Sequence, residues 1–538
     1  MEKHIVFKAL PAGSVHLKGL AGQTLERVIQ NRLKTVDYVK MVEPFHKRNE
    51  DDFRWRCEFW GKVTRSAIFA WRGTGDAELR KIIDSTVEDM LSAQTPDGRI
   101  TTYPPDKQLR GWDLWGRKYV LLTLLEYYSE CGHSQKVLDA AIRLADDLLA
   151  STGGNIQDYG EHYGLAASSI LRALVMLARF SGEKRHLDAA TKLASIGCCH
   201  LHNVFKMAAI GIPPAELSNG KAYEMTSCFQ GLCELYKLTG DSTMLEQILA
   251  YYRAVRDQEI FITGSGALKD ANGEFWFHGK ELQVRHDCGG IGETCVTVTW
   301  MAFCRNVLEL IGDSSVADEF ERSLYNAMIS AVSPDATNFS HINPFLDGTG
   351  YRTVSFDQMA RGTCKGFDGH DCCRAQGPYG LALAPYVAVM KCASGYVVNL
   401  YEDMVVDGLL RIEGGFPLKG NVCITIEKAG EYEILLRMPA EYACSVDGVK
   451  QDAGQYVSLE QKWKVGDKIK LKFSLAERKV DLPCLSQNRL DWIYAAYARG
   501  PLVMAEDSRF KGKRIPFYQA GNAFSPDNTL KVWHKVKD

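Results

Sequence analysis

The sequence predicts a mainly α-helical barrel over residues 1–393, an (α/α)6 ring of paired helices, followed by an antiparallel β-sandwich over residues 394–538. Two observations carry this reading. A helix–turn–helix pattern recurs through the first two thirds of the chain, and the apolar period changes after Ser394. The recurring turns are GTGDAEL (73–79), ECGHSQKVL (130–138), FSGEKRHLDAA (180–190), LTGDSTMLEQI (238–248) and LIGDSSVADEF (310–320). Gly75, Gly132, Gly182, Gly240 and Gly312 suit the left-handed position that ends a helix, and the polar residues after them suit the cap of the next. Flanking segments such as VLLTLLEYYSEC (120–131) and VLDAAIRLADDLLA (137–150) place apolar residues at helical spacing. Helices at about 22–41 and 379–391 would add a sixth pair and close a ring, which we favour over an open solenoid. Two long irregular stretches, 258–292 and 335–377, interrupt the pattern; long loops in a compact domain usually serve a site.

Beyond Ser394 the period becomes two. KIKLKFSL (468–475) alternates Ile469, Leu471, Phe473 and Leu475 with polar neighbours, and NVCITIEKAGEYEILLRMP (421–439) reads as two strands about an Ala-Gly turn. DWIYAAYARGPLVMAED (491–507) reads as a further pair.

Composition excludes several classes. Hydrophobic content of 46%, charge of 24% and a net charge of −2 are those of an ordinary globular protein without a polyanion partner. The basic run KGKR (511–514) reads as a solvated loop, so no nucleic acid is expected. No apolar stretch reaches the ~18–20 residues that span a bilayer. Sixteen cysteines scattered through apolar runs do not resemble a disulfide framework and suit a reducing compartment. With no apolar leader at the start, the expectation is cytoplasmic, or periplasmic where a signal has been trimmed. His-Glu-x-x-His, Gly-x-Ser-x-Gly and Walker-type patterns are missing from the sequence.

The chemistry concentrates at the ends of the two long loops. GHDCCRAQGP (369–378) sets Cys372 beside Cys373, and GGIGETCVTVTW (289–300) opens a helix with Glu293 and Cys295. Neighbouring Cα atoms lie ~3.8 Å apart, too close for an ordinary disulfide. One carboxylate and three thiols form a donor set suited to tetrahedral zinc; the alternative makes the thiols buried fillers and Glu293 a first-turn carboxylate. A second adjacent pair, Cys198–Cys199 in GCCHLH (197–202), has no carboxylate partner and reads as structural, within an apolar helix.

These segments, with AQTPDGRI (93–100), FITGSGALKDANGEFW (261–276), ERSLYNAMISAVS (321–333), GYVVNLY (395–401) and RGPLVMAED (499–507), resemble glycoside hydrolase family 127, the β-L-arabinofuranosidases. The resemblance implies an (α/α)6 barrel with β-sandwich domains. It implies zinc held by Glu293, Cys295, Cys372 and Cys373, with Cys372 the nucleophile of a retaining exo-glycosidase. Glu274, in NGEFWF, would be the general acid/base, with Glu281 a lesser rival. The substrate would be a small carbohydrate carrying a terminal β-L-arabinofuranose, as in plant cell-wall pectin, or a related, carboxylated sugar. Departures are visible. CCRAQGP replaces the family's Cys-Cys-Pro-Pro-Asn, and Lys221 follows Gly220 where a histidine is expected. Lys221, with Arg117, Trp112 and Trp115, would then suit a substrate carboxylate. His162, His278, His286 and His370 are further candidate contacts, and Trp276, Phe277 and Tyr379 either stack on the sugar or pack. Two other readings stay open: a carbohydrate-binding or scaffold protein with structural zinc, and another (α/α)6 enzyme such as a polysaccharide lyase. The oligomeric state is not legible.

Overall fold

The computed structural model describes residues 4–50, 54–267, 274–284, 292–342, 371–482, 493–521 and 530–536. Six inner helices stand side by side: Phe59–Thr74, Asp113–Cys131, Leu171–Ser181, Ala222–Thr239, Thr294–Ile311 and Cys372–Ala382. Each packs on the next, and the last packs on the first, so the ring closes. Inner helices are buried on nearly every face, Thr294–Ile311 most completely. That helix is long and apolar enough to cross a membrane, but its apolar surface is spent on its neighbours in the ring.

The outer helices Ala77–Ser92, Gln135–Ser151, Lys184–Ile196, Ser242–Gln258 and Ser314–Ser323 each bury one stripe against an inner partner. The expected turns join them. Gly75, Gly132, Gly182, Gly240 and Gly312 all have positive φ, from 62° to 127°. Asp76, Asp241 and Asp313 then accept backbone N–H bonds from Leu79, Thr243 and Ser315, capping the following helix. The sixth pair is made by Leu20–Val28, continuing to Leu33, against Cys372–Ala382. The inner member thus starts at the cysteine pair, earlier than the periodicity placed it, because Asp371 caps it by accepting from the Arg374 N–H at 2.8 Å.

Two sheets adjoin the ring. One runs Lys8–Ala9, Val389–Lys391, Gly395–Val398, Gly430–Met438, Gln455–Trp463. The other runs Val449–Lys450, Cys444–Val446, Lys468–Phe473, Asn421–Ile426, Leu410–Glu413, Met404–Val406, Val15–Leu17. Pairing is antiparallel except between Gly395–Val398 and Gly430–Met438. Residues 8–9, 15–17 and 389–391, counted with the helical part in the sequence, therefore complete the sheets. The strands after 476 form a separate third sheet around Ile493–Arg499 and Leu502–Asp507.

Buried polar clamps hold sheets to ring. Arg437, fully buried on its strand, pairs with Asp318 and with Glu321 at 2.6 Å on an outer helix. The Asn326 amide donates to Pro501 O at 2.9 Å and accepts from Val503 N at 2.8 Å, tying in the third sheet. Glu402 accepts the Ala21 and Gly22 N–H groups at 2.9 and 3.0 Å, at the start of the sixth outer helix.

Candidate active site

Five of the six inner helices bring their starts to one cavity of about 280 Å³. Glu58 and Lys62 come from the start of Phe59–Thr74, Trp112 and Trp115 from the start of Asp113–Cys131. Lys221, Tyr223 and Glu224 come from the start of Ala222–Thr239, Glu293 from the cap of Thr294–Ile311, and Cys372 is the first residue of Cys372–Ala382. Trp55, His162, Glu274, Phe275 and His341 complete the lining. Glu274 is positioned by a short antiparallel bridge: Ala222 N–H donates to Glu274 O at 3.1 Å and Trp276 N–H to Gly220 O at 2.8 Å. His341 is set by its carbonyl, which accepts from Thr294 N at 2.9 Å. The neighbouring Phe339 lies so close to Gly377 that a Cβ there would meet its ring at 2.3 Å.

On one wall, donor atoms of Glu293, His341, Cys372 and Cys373 lie within 4.8 Å of one another. Cys372 Sγ is 3.9 Å from both Cys373 Sγ and Glu293 Oε1, and Cys373 Sγ is 3.4 Å from Glu293 Oε1. Ligands of a tetrahedral zinc, at ~2.3 Å for sulfur and ~2.1 Å for oxygen, are separated by roughly 3.6–3.8 Å, so these spacings fit. Cys295 sits behind: its N–H donates to Cys373 Sγ at 3.4 Å, and its thiol interacts with both sulfurs of the pair. Glu293 Oε2 is buried without a hydrogen-bond partner among the described residues. An unpaired buried carboxylate oxygen among thiols is the chemistry a cation satisfies.

The electrostatics divide the thiols. Hydrogen bonding from Cys295 and Cys373, aided by His341 and opposed by burial, pulls the Cys372 thiol well below its usual range. Burial pushes Cys295 and Cys373 well up. Burial also raises Glu274, with the Cys372 charge adding and Lys221 opposing. Burial works against a charged His341, yet the Cys372 sulfur outweighs it and raises that imidazole well above normal.

The structure thus brings Glu274, Glu293, Cys295, Cys372, Cys373, Lys221, His162, Trp112 and Trp115 to one place. Lys221 is buried and ion-paired to Glu274. Two expected contacts are corrected. Arg117 is not part of the lining; it is buried among Asp113, Asp147 and Gln108, its charge neutralised there. His278 lies outside the cavity, starting the short helix Gly279–Leu282 with its N–H on Glu259. Glu281 is buried but not in the lining, which leaves Glu274 as the carboxylate facing Cys372. Trp276 and Tyr379 pack in the core, and the aromatic next to Glu274 in the cavity is Phe275. His286 and His370 lie outside the described residues. The sequence reading missed Trp55, Glu58, Lys62, Tyr223, Glu224, Phe275 and His341. For Glu58, Lys62 and Glu224 a signal existed: charges in the first turn of helices otherwise buried all round.

A family model described as the GH127 catalytic domain of β-L-arabinofuranosidase matches residues 19–382, and one for the GH127 middle domain matches 397–475. The chain belongs to the GH127 β-L-arabinofuranosidase family. Family 127 is a family of glycoside hydrolases, and its middle domain ends where the second sheet does, before the third. A curated relative, the non-reducing end β-L-arabinofuranosidase of Bifidobacterium longum subsp. longum, is 22% identical over 318 residues, 52% of this chain. The match covers 47% of that relative, so the chain spans about half its length. A solved GH127 β-arabinofuranosidase superposes with a TM-score of 0.76 at 19% identity, covering 100% of this chain and 99% of its own. A GH127 β-L-arabinofuranosidase from Geobacillus stearothermophilus T6 gives 0.74 at 19% identity, covering 97% and 100%. These likenesses establish the fold.

Proposed function

We propose that the protein is a retaining exo-glycosidase that releases a terminal β-L-arabinofuranose, with Cys372 as nucleophile and Glu274 as general acid/base. One observation carries the reading: Cys372, ionisable and at a helix start, shares a cavity wall with Glu293 and clusters with the buried Cys373, and Glu274 faces the same space. Glu293, Cys295, Cys372 and Cys373 would hold a zinc ion. When bound, it would keep the thiols deprotonated at neutral pH and hold them in place. Cys372 Sγ attacks the anomeric carbon as Glu274 protonates the departing glycosidic oxygen, leaving a thioglycosyl enzyme. Glu274, now a carboxylate, takes a proton from water, and that water displaces the sulfur with net retention. Lys221 steadies the Glu274 carboxylate between the two steps.

Glu274→Gln tests this. With a poor alkyl leaving group, turnover of an arabinofuranoside falls about 10²–10⁴-fold, while an activated aryl leaving group suffers far less. Equal loss for both leaving groups would remove Glu274 from the acid role. No loss at all would favour a binding or scaffold protein.

A further inference from the structure

Glu224 stands in the first turn of the helix Ala222–Thr239, three residues after Lys221, and lines the cavity with Cys372 and Glu274. It is 2% exposed, and its Oε2 has no hydrogen-bond partner among the described residues. A buried carboxylate oxygen without a donor is unfavourable unless a ligand brings one. The lysines of the lining form their ion pairs with other carboxylates, Lys221 with Glu274 and Lys62 with Glu58 at 2.9 Å, although the Glu224 charge also acts on Lys221. Lys118, buried beside the cavity, lies over the Trp115 and Tyr119 rings at 3.9 Å, and burial, with Arg65 and Lys62 adding, pulls its ammonium well below the usual range.

We propose that Glu224 is a specificity-determining residue, accepting hydrogen bonds from the hydroxyls of a neutral sugar and excluding carboxylated sugars. The inference rests on reading the cavity as a sugar subsite. A carboxylate offers two acceptor oxygens, enough for a pair of neighbouring hydroxyls, and such charge-assisted bonds are strong. A uronate would instead set its anion beside Glu58 and Glu224, with Lys62 and Lys221 already matched to Glu58 and Glu274 and the His341 cation held by the Cys372 sulfur. The preference is the reverse of what Lys221 suggests from the sequence alone. Aromatic rings at Trp55, Trp112 and Phe275 complete a site for an uncharged ring.

The test uses the full chain, calorimetry with L-arabinose and D-galacturonate, and hydrolysis of an aryl β-L-arabinofuranoside. Wild type should bind L-arabinose at least about tenfold more tightly than the uronate. Glu224→Gln should raise the L-arabinose Kd and the furanoside KM about 10- to 100-fold, with kcat changed less than about threefold, and should narrow the preference. Glu224→Asp, which keeps the charge, should recover part of the loss. An unchanged KM and Kd in a folded Glu224→Gln protein, or tighter binding of the uronate by wild type, overturns the proposal. Should wild type hydrolyse no furanoside yet show the Glu224-dependent sugar preference, the hydrolase reading falls and this one stands. Hydrolysis that proceeds without that dependence keeps the hydrolase reading and removes this one. If Glu224→Gln fails to fold, the wild-type preference and Glu224→Asp decide.

Discussion

The chain holds two adjacent cysteine pairs, and they do opposite things. Cys198 and Cys199 lie just past the helix Lys184–Ile196, after Gly197 at φ 92°, with Cys198 itself left-handed at φ 59°. They are not within the helix as their sequence surroundings suggested, because Gly197 ends it. Cys198 Sγ meets Ser168 O at 4.0 Å and the thiol of Cys228, and Cys199 Sγ meets Ser218 Oγ at 3.6 Å. Burial, with the Cys228 and Cys199 thiols adding, pushes the Cys198 thiol well above the ordinary 9.0. Cys372 and Cys373 instead open a helix, beside Glu293 and His341, and Cys372 is pulled down. The dipeptide carries no chemistry of its own. A helix start, a carboxylate and a third thiol supply it.

The widest gap between the pairs should appear in catalysis. Cys372→Ser is expected to lower kcat on an aryl β-L-arabinofuranoside by at least about 10³-fold, whereas Cys198→Ser should change it less than about threefold. Equal effects in initial-rate assays would erase the distinction. Next comes metal content. Purified protein should carry about one zinc per chain by elemental mass spectrometry, Cys373→Ala should lose most of it, and Cys199→Ala should keep it. Zinc retained by Cys373→Ala would remove that thiol from the site.

The smallest effect separates the pairs by pH. Cys198 is raised in the folded state, so below pH 9.0 its thiol is neutral whether the chain is folded or not. Above that, the unfolded chain releases the proton first, and stability falls as pH rises. Thermal melts at pH 8 and 10 should therefore show wild type losing ground to Cys198→Ala at the higher pH. A constant gap would mean that Cys198 is not held as a neutral thiol.

The ring was legible because its turns are local. Gly75-Asp76, Gly240-Asp241 and Gly312-Asp313 each place a left-handed residue and a cap side by side, and both requirements are met within a few positions. The ligand-type residues were legible for another reason: their type is unusual at a helix start. Arg117 and His278 misled because a charged or imidazole side chain near an aromatic run looks the same whether it faces a cavity or a salt bridge. His341 left no signal, since its place is set by its carbonyl accepting from the Thr294 N–H, 47 positions earlier in the chain.

By itself, then, the amino-acid sequence determined the helix pairs, the later strands and the donor types, all of which follow from spacing, capping and side-chain chemistry over short range. Only tertiary structure decided that Glu293 and Cys372, 79 residues apart, share a wall, that Lys221 pairs with Glu274, and that Glu224 Oε2 is left without a partner among the described residues. Ring closure sets these relations. It brings five helix starts to one cavity, and which charges meet there depends on how the helices pack rather than on any neighbour along the chain.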